Sequence, residues 1–288
     1  MEFLSLNQHL QEIYGCRVHR VVVDAGFTCP NRDGKIGYGG CLYCSEEGAR
    51  ATYCKPSIPI NEQVERGIKF MRRRYLAKKF IVYFQPFTNT YAPVDTLKDI
   101  YDQSLANPEI VGMTIGTRPD CIPDETLDLI SSYNDKYYVL LELGLQSGVN
   151  KNLEYIKRGH TVEDFIDAVK RAKSKNIKIC AHIIIGLPYD TKETIMQTAH
   201  LLKELGIDGV KIHSLYINHD SRLADDFKNG KIILPTMEEY ISTTAEFIKI
   251  LGKEVVIHRL ASDVNPEKLL APKWALNKDE IVKRVRDY

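Results

Sequence analysis

An α/β fold built on a parallel sheet follows from three features of this 288-residue sequence. Short β-branched runs recur, several of them are apolar throughout, and a helical pattern separates each from the next. Continuous apolar runs are what parallel strands covered on both faces require. Alternation of this kind, about six times over, gives either a doubly wound sheet or a full or partial barrel, and periodicity does not choose between them.

In chain order the predicted strands cover 18–23, 80–84, 110–117, 138–143, 177–185, 209–216 and 255–258. Helices are predicted near 60–76, 94–106, 123–133, 161–175, 190–204 and 236–251. Pro123 followed by Asp124 and Glu125 suits a first helical turn, where N–H groups are unpaired and the dipole is positive. Thr161 with Asp164 three residues on has the form of a capping box. Thr191 opens the next helix in a similar way, and Gly206 looks like its C-terminal glycine. The organisation expected is an N-terminal segment (1–16), a barrel region (17–220) containing a long loop at 26–59, and a C-terminal extension (221–288). A structureless stretch as long as that loop is usually functional.

The bulk composition, 44% hydrophobic and 27% charged, is that of a globular protein. There is no apolar run of about 18 residues, so no membrane span is expected. The start lacks a basic region followed by an apolar one, so no secretory signal and a cytoplasmic location are expected. A net charge of +1 says nothing about partners, but residues 69–79 carry six basic side chains and no acidic one. That run can face a polyanion such as RNA, or simply be a solvated helix face. Seven cysteines, an odd number, argue against a disulfide framework and for metal binding or chemistry.

Three of those cysteines fall in the long loop. Two residues separate Cys41 from Cys44, so one tight turn can present both thiolates, and eleven residues separate Cys29 from Cys41. Gly26, Gly34, Gly37, Gly39 and Gly40 permit the close backbone approach that wrapping a cluster needs. Three thiolates hold three irons of a four-iron cluster and leave the fourth open. Structural zinc uses the same pair motif but wants four ligands, and Cys54 or a histidine can supply one, so spacing leaves both open. Cys16 and Cys54 can also play an accessory role, whereas Cys121 and Cys180 read as small buried hydrophobes.

Beyond the loop, short motifs follow in order at or just after predicted strand ends. They are Thr117-Arg-Pro-Asp120, Glu142-Leu-Gly-Leu-Gln-Ser147, Lys157-Arg-Gly-His-Thr161 and His182-Ile-Ile-Ile-Gly-Leu-Pro188. With the cysteine loop, they make the sequence resemble the radical S-adenosylmethionine (SAM) superfamily, in the branch similar to the catalytic subunit of Elongator. The superfamily's first cysteine gap is usually three residues; the longer gap here fits that branch. The resemblance implies a partial (β/α)6 TIM-like barrel, a [4Fe-4S] cluster on Cys29, Cys41 and Cys44, and SAM as the second cofactor. It places Tyr43 against the adenine, Glu142 in a motif implicated in holding SAM, and Gln146 and Arg158 on the methionine part. His182 and Gly186 belong to the motif near the adenine. Gln85 and Asn89 stand in 84–90, where the superfamily has a Gly-Gly-Glu motif for the SAM amino group. That motif is absent here. Three residues of these motifs also have plainer readings: Glu142 as a buried structural carboxylate, Arg118 as a partner of Asp120 or Glu142, and His182 as a core histidine. No residue for proton transfer stands out.

The chemistry implied is reductive cleavage of SAM to a 5′-deoxyadenosyl radical, with an external electron donor such as flavodoxin or ferredoxin. The Elongator relative works on tRNA and carries an acetyltransferase domain, for which this chain is expected to be too short. The motifs His258-Arg-Leu-Ala-Ser-Asp263 and Leu270-Ala-Pro-Lys-Trp274 look like a smaller bacterial family of stand-alone proteins. One branch of it, MnmL, is linked to converting 5-carboxymethylaminomethyl-uridine to 5-aminomethyl-uridine in tRNA. The expected partner is therefore tRNA. Radical chemistry on a small molecule such as a porphyrin precursor, or a non-catalytic zinc- or cluster-binding module, are the alternatives.

Overall fold

A computed structural model describes residues 1–44 and 53–288, so residues 45–52 of the predicted cysteine loop lie outside the described residues. The chain opens with α1 (Leu6–Tyr14), then β1 (Val18–Val23), α2 (Ile60–Tyr75), β2 (Lys79–Phe84), α3 (Val94–Leu105) and β3 (Ile110–Thr117). It continues through α4 (Asp124–Ser131), β4 (Tyr138–Gln146), α5 (Asn150–Tyr155), α6 (Val162–Ser174), β5 (Lys178–Ile185), α7 (Lys192–Glu204) and β6 (Gly209–Ser214). Last come β7 (Ile217–Asn218), α8 (Ala224–Lys228), α9 (Met237–Leu251), β8 (Val256–Arg259), β9 (Leu269–Ala271) and α10 (Lys278–Asp287).

One sheet holds seven strands in the order β1-β2-β3-β4-β5-β6-β8, every pair parallel. A doubly wound sheet would double back at a switch point. Here each strand lies beside its predecessor, so the sheet curls one way into a partial barrel. It does not close: β1 and β8 are its edges, and Leu4 covers part of the β8 edge by accepting the Ile257 N–H at 2.8 Å. A barrel of this kind segregates side chains by alternation. On β2, Phe80, Val82 and Phe84 join the outer core beneath the helices, whereas Ile81 packs inward.

The predicted caps form. Asp164 N–H donates to Thr161 Oγ1 at 3.2 Å and Thr161 N–H returns to Asp164 Oδ2 at 2.7 Å, a reciprocal box at the start of α6. Helix α1 plugs the end of the barrel where strands begin. Its Leu6 and Leu10 pack with Val18, Ile81 and Val256, and Tyr14 Oη donates to the Val111 carbonyl at 3.2 Å. The opposite end, where strands finish, is left for the site. In the C-terminal extension β7 and β9 pair as an antiparallel ribbon, and Trp274 Nε1 donates to the Pro235 carbonyl at 3.0 Å. Among the described residues no helix is long and apolar enough to cross a membrane.

Candidate active site

The cysteine loop folds back over the strand ends. Arg32 N–H closes a turn on the Cys29 carbonyl at 2.7 Å, Cys44 N–H closes another on the Cys41 carbonyl at 3.0 Å, and Leu42 N–H ties the loop to Ile156 O at 2.9 Å. Cys29 and Cys41 are buried and Cys44 is half-buried. Side chains among the described residues donate to the sulfurs: Asn31 Nδ2 to Cys41 Sγ at 3.5 Å, Arg158 Nη1 to the same sulfur at 3.6 Å, and Arg32 Nη2 to Cys44 Sγ at 3.4 Å. Burial alone would raise the Cys41 thiol, but the Arg158 guanidinium overrides it and holds the thiol below its ordinary value. At Cys44 burial wins over Arg32, and the thiol sits above its ordinary value.

Among the described residues, the trio of His, Cys, Asp or Glu side chains whose ligand atoms all lie within 4.8 Å of one another is Glu142, Cys180 and His258, not the three loop cysteines. The cations and N–H donors around the three loop cysteines fit the negative charge that thiolates and sulfides of an iron–sulfur cluster would carry. At the interior trio, Lys211 already supplies the positive charge an ion would bring.

Arg158 is the hub of this cradle. Besides Cys41, it donates to the Gly144 carbonyl at 3.0 Å and to His160 Nε2 at 2.8 Å. A Cβ at Gly144 would lie 2.6 Å from both Arg158 Nη2 and Gln146 Nε2, so glycine there is a condition for both side chains. Asn31 clasps the same segment by donating to Lys157 O and Arg158 O at 2.8 and 2.9 Å. Arg118, almost wholly buried, forks onto Asp120 at 2.9 and 2.8 Å and donates to Arg158 O at 2.7 Å; its partner is Asp120 and not Glu142.

The remaining site residues fall into groups. Tyr43 is half-buried against the core beside Cys41, and Gln146 ends β4 with φ +74°. Gly186 has φ +102°, its N–H donates to Asp190 Oδ2 at 3.0 Å, and a Cβ there would strike Pro235 at 2.9 Å. Asn89 spends its side-chain amide on Phe84 O, Pro86 O and Gly116 O at 2.9–3.1 Å, strapping the loop after β2 rather than facing the cradle. Gln85 is half-buried in that loop.

Glu142 and His182 belong to a different place, a chamber inside the barrel. Glu142 Oε2 accepts from Tyr83 Oη at 2.6 Å, from His182 Nε2 at 3.0 Å and from Lys211 Nζ, while Arg20 Nη1 lies 3.4 Å from Oε1. Burial would raise this carboxyl, yet Lys211 and His182 hold it well below the usual carboxylate range. Burial lowers Lys211 to about 8 against Glu142's pull. The plainer reading of Glu142, a buried carboxylate, is the one this geometry supports, since its oxygens are occupied. Arg20, Tyr83, Lys211 and His258 were not foreseen as site residues; for Arg20 and Lys211 the available signal was a charged side chain in the middle of a mostly apolar strand.

A parallel partial barrel with a three-cysteine cradle at its strand ends defines a class, and comparison assigns it: the radical SAM superfamily model matches residues 29–202 and the radical SAM C-terminal domain matches 207–288. This chain belongs to the radical SAM superfamily and is an enzyme of that class, with a [4Fe-4S] cluster and SAM as cofactors. It is 34% identical to the uncharacterized protein YtqA of Bacillus subtilis, over 96% of this chain and 86% of YtqA. It is 38% identical to protein YhcC of Escherichia coli, over 92% and 85%. A shorter match, 29% over 54% of this chain and 28% of the relative, reaches the tRNA uridine(34) acetyltransferase of Methanocaldococcus jannaschii. Among solved structures, the archaeal Elp3 of Methanocaldococcus infernus superposes with a TM-score of 0.68 at 19% identity, over 94% of this chain and 63% of that one. The chain thus spans less than two thirds of that solved protein, and the likeness is one of fold.

Proposed function

We propose that this enzyme modifies the wobble uridine of tRNA, converting 5-carboxymethylaminomethyl-uridine to 5-aminomethyl-uridine as in the MnmL branch. The observation that carries this reading is the match to a tRNA uridine(34) enzyme over 54% of this chain. The ordered motifs of the Elongator-like branch add to it. The basic run at 69–79 does not: it lies at the end of α2 that meets the start of β2, across the barrel from the cysteines. A tRNA substrate places the work in the cytoplasm.

In this reading Cys29, Cys41 and Cys44 hold three irons, and an external flavodoxin or ferredoxin provides the electron. Once held there, the cluster and SAM would together supply the radical chemistry, hydrogen abstraction from the substrate by a 5′-deoxyadenosyl radical. The protein's own part is placement. Arg158 balances thiolate charge and, with Gln146, orients the methionine part of SAM; Tyr43 and Gly186 line the way to its adenine, while His182, bonded to Glu142, stays in the chamber. Asn31 and Arg118 hold the Lys157–Arg158 backbone against the loop, so the cradle keeps its shape.

Mass spectrometry of tRNA nucleosides from a deletion strain tests this. We expect 5-aminomethyl-uridine to disappear and its carboxymethyl precursor to accumulate, with both restored by the wild-type gene. Unchanged wobble nucleosides overturn the reading.

A further inference from the structure

The chamber beneath the cradle carries more positive charge than its own residues neutralise. Arg20, Lys211 and Arg259 bring three cations to the interior, and Glu142 brings one anion. Asp263 pairs with Arg259 at 2.6 Å, but its side chain is 58% exposed and is shared with Lys278 outside the barrel. Arg259 on β8 stands in register with Lys211 on β6, and Lys211 and Arg20 both reach Glu142, which groups the three cations at one level of the barrel. Burial and these cations also hold His182, His213 and His258 below the ordinary histidine value, so none of the three adds or removes a charge near neutrality.

That space is open. The side chains of Arg20, His182 and Arg259 are 22%, 21% and 24% exposed although all three belong to strands of the barrel. Arg20 has five N–H donors and uses one on Glu142 among the described residues. Gly144 stands two residues beyond Glu142 on β4, about 7 Å along the strand, so the chamber lies directly below Arg158 and Gln146. Partly buried guanidinium donors left over in this way are suited to a carboxylate, which they can bind through two parallel N–H bonds.

We propose that this chamber is a carboxylate site in which Arg20 and Arg259, backed by Lys211, hold the acidic end of the substrate. The inference rests on the wobble-uridine reading for the substrate's identity. It adds an account of direction. The carboxymethylaminomethyl group ends in a carboxylate, whereas the aminomethyl product ends in an ammonium. The same cations that attract the first repel the second, so the chamber selects substrate and expels product. SAM carries a carboxylate too, and the test separates the two sources.

Anticodon stem-loop RNAs bearing either nucleoside are titrated into the reconstituted holoenzyme with SAM present. Wild type is expected to bind the carboxylate-bearing RNA at least about tenfold more tightly, the worth of one charged hydrogen bond. R20Q and R259Q each bring that ratio toward one, R259K keeps most of it, and SAM affinity is unchanged in all three. A ratio that survives both glutamine variants, or a loss of SAM affinity in them, overturns the proposal; the latter result gives these cations to SAM. A second arm needs no RNA. N-benzylglycine, which has the same aminoacetate end, should raise the holoenzyme's melting temperature more than benzylamine does, and R20Q should erase the difference. Equal response to both compounds overturns the carboxylate site. Discrimination here with no RNA binding at all keeps the site and overturns the tRNA reading.

Discussion

The cysteine cradle and the Glu142 chamber lie one above the other in the same barrel and are assembled in opposite ways. The cradle takes its three sulfurs from residues 29 to 44, one loop whose glycines and turns let it wrap. The chamber takes Arg20, Tyr83, Glu142, His182, Lys211 and His258 from β1, β2, β4, β5, β6 and β8, which meet only because of strand register. The cradle surrounds prospective anions with cations; the chamber surrounds one anion with several cations. Damage to a loop that holds a cofactor should cost chemistry and little stability. Damage to a buried charge network should cost stability first.

The largest effect expected on the cradle side comes from Cys41→Ala. Iron should fall from about four per chain to well below that number after anaerobic reconstitution, and 5′-deoxyadenosine formation should drop to background. Far-ultraviolet circular dichroism should stay as in wild type. A variant that keeps a full reducible cluster breaks the ligand assignment.

Glu142→Ala is the matching blow to the chamber. It leaves the Lys211 ammonium buried without its carboxylate, which typically costs about 3–5 kcal/mol. At roughly 2–4 °C per kcal/mol for a chain of this size, the melting temperature should fall by about 10 °C. Replacing both partners, Glu142→Leu with Lys211→Met, should recover most of that loss, because no lone charge remains. A single variant that loses less than about 1 kcal/mol would put the chamber in the same energetic class as a surface pair.

A smaller, graded effect separates the two regions by pH. Burial and neighbouring cations hold His182, His213 and His258 below their ordinary value, and His160 is lowered to about 4. For a histidine lowered on folding, the unfolded chain takes up the proton first. Stability is therefore complete above about pH 6.5 and is lost as pH falls, by about 1.4 kcal/mol per pH unit for each such histidine. Melting temperatures from pH 7.5 to 5 check this, and His258→Gln should flatten the acid slope by about one proton. An unchanged slope would mean that His258 is not held neutral in the folded state.

The same division explains what could be read from the sequence. All seven strands of the main sheet were foreseen, β1 and β3 at their observed bounds, because long apolar runs declare themselves. The cysteine loop was legible because its information is local. The two- and three-residue strands β7 and β9 and the short α5 and α8 were missed because each is too short for periodicity to show and tertiary contacts stabilise it; α1 was missed although Ser5 and Gln8 form a capping box and Leu6 and Leu10 a buried stripe. α10 was also passed over, its two buried side chains Ile281 and Val285 leaving only a narrow apolar stripe. The chamber escaped for another reason. Arg20 and Lys211 are 191 positions apart, and nothing local says that they share one carboxylate. Glu142 and His182 were singled out by motif, but their partners come from register alone.

The smallest effects are expected where charge belongs to neither region. Arg72, Arg73 and Arg74 crowd the last turn of α2, where cations face the negative end of the helix dipole. Arg72 reaches Glu109 just before β3, and Tyr75 stacks on His19 near the start of β1 at 4.2 Å, which fixes this turn at the end of the barrel away from the cysteines. An exposed pair such as Arg72–Glu109 contributes at most about 1 kcal/mol. Replacing Arg73 and Arg74 together by Gln should therefore shift stability by no more than about 0.5 kcal/mol and leave SAM cleavage unchanged. On the wobble-uridine reading, the informative readout is the dependence of tRNA affinity on salt. Each lost phosphate contact lowers the slope of log affinity against log salt by about one. A slope unchanged by R73Q/R74Q keeps the RNA footprint at the cradle end. A fall of about two would carry that footprint down the outside of α2 to the plugged end of the barrel, and the run at 69–79 would become part of substrate recognition after all.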